Sequence, residues 1–148
     1  VFVDCRYETT VTKSSVRRLT DERLPDFLRV LNADRARNLD YAPLTVREVE
    51  KTVSMHLVSV DSMFLGFEGT VPASTARLVI GAHHEAALCD LAVVPGRRSA
   101  GNALVERLLA ACREAKVESI SAWLTEHEVR FSDILSSYTF EPRRVRVT

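Results

Sequence analysis

Long apolar runs are missing from this chain. None approaches the roughly 18 residues that a membrane span needs, so no membrane partner is expected. The opening Val1-Phe2-Val3-Asp4-Cys5-Arg6 meets a charge after three residues, too soon for the apolar stretch of a secretory leader. An initiator Met is lacking as well, which leaves a longer native chain open. Charge of one sign is also missing, since 20 Lys and Arg balance 20 Asp and Glu. Nucleic acid and anionic lipid select a basic excess, and neither is expected as a partner. Cysteine is scarce: Cys5, Cys89 and Cys112 are odd in number and far apart. That is neither a disulfide framework nor a zinc signature, so no metal is expected. The expected location is a reducing compartment, the cytoplasm, with Cys89 and Cys112 as small core residues. Five Gly and five Pro are too few for a linker-rich chain.

What is present is core-forming material. Apolar residues make up 46% of 148 positions, enough for one domain over 1–148 with a sizeable interior. Residues 1–13 stand apart as an extra N-terminal strand or arm. Strand-like and helix-like patterns then alternate, which argues for a mixed α/β (α+β) fold. A first strand is expected near Ser14–Leu19. Thr20-Asp21-Glu22 opens a helix carrying Leu24, Phe27, Leu28 and Leu31 at helical spacing. After an irregular connection (Asn32–Pro43), Thr45-Val46-Arg47-Glu48 reads as a capping box. Strands are expected at Ser62–Phe67, Ala73–Ile80 and Ala86–Val94, with His83 and His84 as surface turn residues. From Gly101 to Lys116, Leu104, Val105, Leu108, Leu109, Cys112 and Ala115 share one face of an amphipathic helix. Ser119–Leu124 alternates as a strand, and Thr125–Glu128 forms a second capping box opening a short helix to about Ser136. Tyr138–Phe140 starts a last strand, and Val145 and Val147 suggest one more.

The informative segment is the buried strand Ala86–Val94, the break Pro95–Ala100 and the helix that follows. A helix start presents amides without internal partners and a partial positive charge, which suits a phosphate. Gly101 would let a ligand approach the backbone, and Arg97 and Arg98 place cations where a diphosphate would sit. The spacing Gly96-x-x-x-x-Gly101 fits a Walker A loop, but Asn102 and Ala103 stand where Lys and Ser/Thr are required. The dinucleotide fingerprint G-x-G-x-x-G is absent.

The run Leu91-Ala92-Val93-Val94-Pro95-Gly96-Arg97-Arg98-Ser99-Ala100-Gly101-Asn102-Ala103-Leu104 resembles the acetyl-CoA loop of the GNAT superfamily of N-acetyltransferases. Arg98, Gly101 and Ala103 match its Arg/Gln-x-x-Gly-x-Gly/Ala positions. The order of elements around it, through Phe140-Glu141-Pro142, also fits. The resemblance implies a mixed, mostly antiparallel central sheet flanked by helices, and acetyl-CoA as co-substrate. It implies diphosphate binding by main-chain amides of Arg98, Ser99, Ala100, Gly101, Asn102 and Ala103, with the Arg98 side chain adding charge. Leu91, Ala92 and Val93 would pair with the pantetheine arm, and the Val93 main chain would steady the thioester oxygen. The acceptor would be an amine of a small molecule or peptide.

The reaction also needs a base. Asp90 is the candidate, as the ionisable residue inside its strand; burial facing the cleft would raise its pKa and suit it to the task. Glu85 is a weaker one, His127 is expected to face solvent, and Cys89 lacks a His-Asp constellation that would make it a nucleophile. Asp40 and Tyr41 are candidate acceptor contacts. Counted from Phe140, the family's tyrosine acid falls on Leu135 and its glycine on Thr139. Its asparagine is missing from the stretch Glu126-His127-Glu128. These departures keep an alternative open, a CoA-binding or structural domain of the same fold without catalysis. The short end after Phe140 leaves the sheet edge open to completion by a second subunit, as in a homodimer.

Overall fold

The computed structural model describes residues 13–36, 42–54, 62–124 and 128–141. Five strands form one sheet in chain order: β1 (Ser14–Arg18), β2 (Met63–Glu68), β3 (Val71–Ile80), β4 (Glu85–Val93) and β5 (Ser119–Ala122). The first four are mutually antiparallel, and β5 lies parallel to β4. The parallel step requires a crossover, supplied by the long helix α3 (Arg98–Glu114). Helices α1 (Leu24–Arg35) and α2 (Val46–Ser54) come between β1 and β2, and α4 (Val129–Ser136) follows β5.

The sheet separates two cores. Side chains alternate across a strand, so Leu65, Phe67 and Ala92 meet Phe27, Leu28 and Leu31 of α1 on one face. Phe64, Leu88, Leu91 and Val93 meet Leu104, Val105 and Leu108 of α3 and Phe131, Ile134 and Leu135 of α4 on the other. Helices α1 and α4 therefore lie on opposite faces.

The capping box at Thr45 forms as expected: the Thr45 amide donates to Glu48 Oε2 (3.1 Å) and the Glu48 amide to Thr45 Oγ1 (3.2 Å). Of its expected counterpart, Thr125, Glu126 and His127 lie outside the described residues. Helix α4 starts at Val129, with Glu128 at the N-cap and its side chain making no cap bond; it is buried in an ion pair instead. Thr20 also makes no side-chain cap bond; a 3₁₀ turn over Asp21–Arg23 precedes α1. The expected strand at Tyr138–Phe140 is a helix terminus. The Tyr138 and Phe140 amides both donate to the Leu135 carbonyl, at 3.0 and 3.4 Å, and Thr139 takes φ 66°, the left-handed cap conformation. His83 and His84 are exposed turn residues with φ 63° and 57°. Val145 and Val147 lie outside the described residues.

Helix α3 ends in a Schellman motif. The Val117 amide donates to the Cys112 carbonyl (2.9 Å) and the Lys116 amide to the Arg113 carbonyl (3.1 Å), with Lys116 at φ 55°. A Cβ costs energy in that conformation, and glycine does not carry it. Lys116→Gly is expected to stabilise the protein by about 1 kcal/mol, read as a higher denaturant midpoint at unchanged m-value.

Candidate functional site

The site begins where two strands part. β4 and β5 pair from Glu85↔Ser119 to Leu88↔Ala122, and a last bond runs from the Trp123 amide to the Leu88 carbonyl (3.0 Å). Beyond it, Cys89–Val93 have β3 on one side and no strand on the other among the described residues. A bulge lies at the parting point: the β3–β4 register shifts between Thr75 and Arg77, and Asp90 takes φ 52°. Bulges re-aim a strand.

The register then decides which way the main chain faces. The Val94 amide donates to the Ala73 carbonyl (2.8 Å), so Ala73 and Val94 form a hydrogen-bonded pair. The next pair, Ser74↔Val93, is of the non-bonded kind, whose N–H and C=O point away from each other's strand. The Val93 main chain thus points into the gap that β5 has left.

The strand feeds α3 through a tight turn. The Arg97 amide donates to the Val94 carbonyl (3.0 Å), with Pro95 first and Gly96 (φ 78°) second in the turn, the residue order of a type II turn. Helix α3 starts at Arg98, three residues before the apolar periodicity begins. The difference narrows the expected amide grip. Asn102 and Ala103 lie past the first four helical positions, where amides bond within the helix. The Ala100 amide donates to the Arg97 carbonyl (3.1 Å). The amides of Arg98 and Ser99 have no protein acceptor among the described residues, and both residues are exposed.

The two arginines separate. Arg97 lies 3.3 Å from Glu68 Oε2 and is held as a counter-ion there. Arg98 lines a cleft of about 100 Å³ with Val93, Val94, Gly96, Arg130, Asp133 and Ile134. Gly101 serves packing. A Cβ on it would lie 2.5 Å from Ile134 Cδ1 and 3.4 Å from Val93 Cγ2, so its bare backbone lets α4 close on α3 rather than admitting a ligand. The neighbouring Ala100 is fully buried, and its carbonyl accepts from the buried Ser74 hydroxyl (3.0 Å). Gly66 makes room for that hydroxyl, since a Cβ there would overlap Ser74 Oγ.

Asp90 is not the buried, isolated carboxylate that the base assignment required. Its side chain is 28% exposed and accepts from Arg77 Nε at 2.9 Å. Glu85 is exposed at the far end of β4. Leu135, at the position of the family tyrosine, is buried in the core. The hydroxyl of the nearby Tyr138 donates to Glu106 Oε1 (3.1 Å) and lies 3.3 Å from the Asn102 carbonyl, turned toward α3. Burial, and then the bond and the charge of Glu106, hold its pKa above the ordinary 10.0. Burial also raises the Cys112 thiol, as suits an inert core cysteine. Cys89 is half-buried and free. Asp40, Tyr41, Glu126 and His127 lie outside the described residues. Among the described residues, no group of three or more His, Cys, Asp or Glu is placed to hold a metal ion, and no helix is long and apolar enough to cross a membrane.

Sequence reasoning missed four charged residues around the gap. Asp34 Oδ1 lies 2.9 Å from Arg130 Nη2, and Glu128 Oε1 lies 2.9 Å from Arg35 Nε. Both carboxylates are 5% exposed. The faint signal was Asp34 within an otherwise apolar helical face.

No protein-family model and no curated protein sequence matches the chain. Solved structures do. Ard1 from Thermoplasma volcanium matches at TM-score 0.68 and 16% identity, over 88% of this chain and 84% of that one. The ribosomal-protein-S18-alanine N-acetyltransferase from Escherichia coli matches at 0.66 and 19%, over 89% and 80%. An aminoglycoside acetyltransferase from an uncultured soil metagenomic sample matches at 0.66 and 17%, over 91% and 94%. The fold is the GNAT acetyltransferase fold. The chain also covers 44% of the length of a Pyrococcus horikoshii protein, matched at TM-score 0.67 and 18% identity. Here Val93 at the parted end of β4, Val94 and Gly96 in the turn and Arg98 at the start of α3 line one cleft.

Proposed function

We propose that this protein transfers an acetyl group from acetyl-CoA to an amine, as a cytoplasmic N-acetyltransferase acting without a covalent intermediate. The observation that carries the proposal is one cleft lined by both Val93, whose main chain turns into the gap, and Arg98, the first residue of a 17-residue helix. The diphosphate would lie on the Arg98 and Ser99 amides, with the Arg98 guanidinium beside it and the helix dipole behind. Leu91–Val93 would pair with the pantetheine arm as an added strand, and the Val93 N–H would face the thioester oxygen as it gains negative charge. The amine nitrogen bonds to the carbonyl carbon, the C–S bond breaks, the sulfur takes a proton and the amine loses one. Asp90, still joined to Arg77, is the carboxylate at the bulge from which a water chain to the amine would start.

A second reading rests on the same cleft. Leu135 is buried, Tyr138 is bound to Glu106 and Asp90 is ion-paired, which favours a domain that binds CoA and does not turn it over. The two readings share one prediction and part on another. Acetyl-CoA at 100 times its Kd adds about 2.7 kcal/mol of stability, or roughly 5–10 °C in melting temperature at this size. An unmoved melting temperature at millimolar acetyl-CoA would defeat both. Thiol release with a panel of amines then separates the enzyme from the inactive domain.

A further inference from the structure

Helices α1 and α4 belong to cores on opposite faces of the sheet, yet two ion pairs join them. Asp34, one residue before the end of α1, meets Arg130 in the first turn of α4, with Nη2 at 2.9 Å and Nε at 3.3 Å from the same oxygen. Arg35 meets Glu128 at the α4 N-cap at 2.9 Å. Side chains from opposite faces meet only around an edge, past an end or through an interruption of the sheet, and β4 parts from β5 beyond Leu88 and Ala122. Arg130 also lines the cleft beside Val93, which places its pair with Asp34 at that interruption, and the Arg35–Glu128 pair joins the residue next to Asp34 in α1 to the one two positions from Arg130 at the α4 start. Leu91 and Val93, on the unpaired half of β4, are 0% and 2% exposed.

We infer that the Asp34–Arg130 and Arg35–Glu128 pairs form a gate across the β4–β5 gap, which must open before a molecule on the α1 face can reach Val93. That this is the acceptor's route rests on the function proposed above; that the gap is sealed does not. A buried carboxylate held by two guanidinium bonds, as Asp34 is by Arg130, stays put, because removing one partner leaves the other charge uncompensated. Opening therefore calls for an acceptor, or a conformational change, that gives the freed charges new partners. An acceptor amine, arriving as an ammonium ion, offers Asp34 or Glu128 such a partner.

Hydrogen–deuterium exchange of the free protein tests the gate without any cofactor. In Asp34→Asn, peptides spanning Leu91–Val93 are expected to exchange at least tenfold faster, while peptides within β3 keep the wild-type rate. The double charge reversal Asp34→Arg with Arg130→Asp should restore slow exchange if the pairing itself is the seal. Unchanged exchange at Leu91–Val93, or equal acceleration throughout the sheet, overturns the gate. If exchange rises locally but acetyl-CoA no longer raises the melting temperature of Asp34→Asn as it does for wild type, the pair belongs to the cofactor site and the gate is again overturned. Wild-type protein that ignores acetyl-CoA would defeat the proposed function, with the exchange result still deciding the seal.

Discussion

Ser99→Asp is expected to abolish acetyl-CoA binding at working concentrations while slightly raising the melting temperature. Ser99 is exposed and is the second residue of α3. A carboxylate there faces the positive end of the helix dipole and stabilises an exposed helix by about 0.3–1 kcal/mol. It also occupies the place proposed for a diphosphate and repels it. Like charges brought together in a binding site cost several kcal/mol, and a loss of about 2.7 kcal/mol is a hundredfold in Kd. Isothermal titration gives the affinity, and thermal melting without ligand gives the stability. Affinity within threefold of wild type would refute the assignment of the Arg98 and Ser99 amides to the cofactor.

Gly101→Asp, two residues along the same helix, is expected to destabilise the protein by about 4 kcal/mol or more, through overpacking and an unpaired buried charge. The new Cβ would come within 2.5 Å of Ile134 Cδ1. Ile134 is 1% exposed, so it has little free space to move into. The carboxylate would enter the apolar contact between α3 and α4 without a counter-ion. A drop of roughly 10 °C or more in melting temperature follows. Lost acetyl-CoA binding in this variant would say nothing about the loop, because the fold fails first. Ser99→Asp carries the same charge without the collapse, and the opposite signs of the two stability changes distinguish a ligand-facing position from a packing position within one helical turn. A Gly101→Asp protein as stable as wild type would mean that α4 does not close on α3 as described.

Much of the fold was legible because its signals are local. The Thr45–Glu48 capping box, the apolar face of α3, the His83-His84 turn and the Pro95-Gly96 turn each depend on residues within a few positions of one another. Errors fell at helix ends. α3 begins at Arg98 because the Val94–Arg97 turn sets its first residues, and turn residues carry no apolar periodicity. α4 begins at Val129 because Glu128 is drawn into an ion pair with Arg35, ninety-odd positions away in the chain and invisible to any local pattern. Thr139 adopts a glycine-like φ of 66° at a helix terminus, where a last strand was expected to start.

The candidate site divides along the same line. The sequence by itself determined that a strand, a Pro-Gly turn, an arginine and a long helix follow one another, and that order brings a helix N-terminus to the end of a strand, since the turn between them is short and local. Only the tertiary structure decided what each residue does there. Arg97 is claimed by Glu68, Gly101 by Ile134 and Asp90 by Arg77, leaving Arg98 to line the cleft. It alone decided that β5 parts from β4 after Leu88 and that Asp34, Arg35, Glu128 and Arg130 meet across the opening. Those outcomes depend on which surfaces distant segments present to one another, and a charge can be recognised as a partner only when the fold has brought its counter-ion within reach.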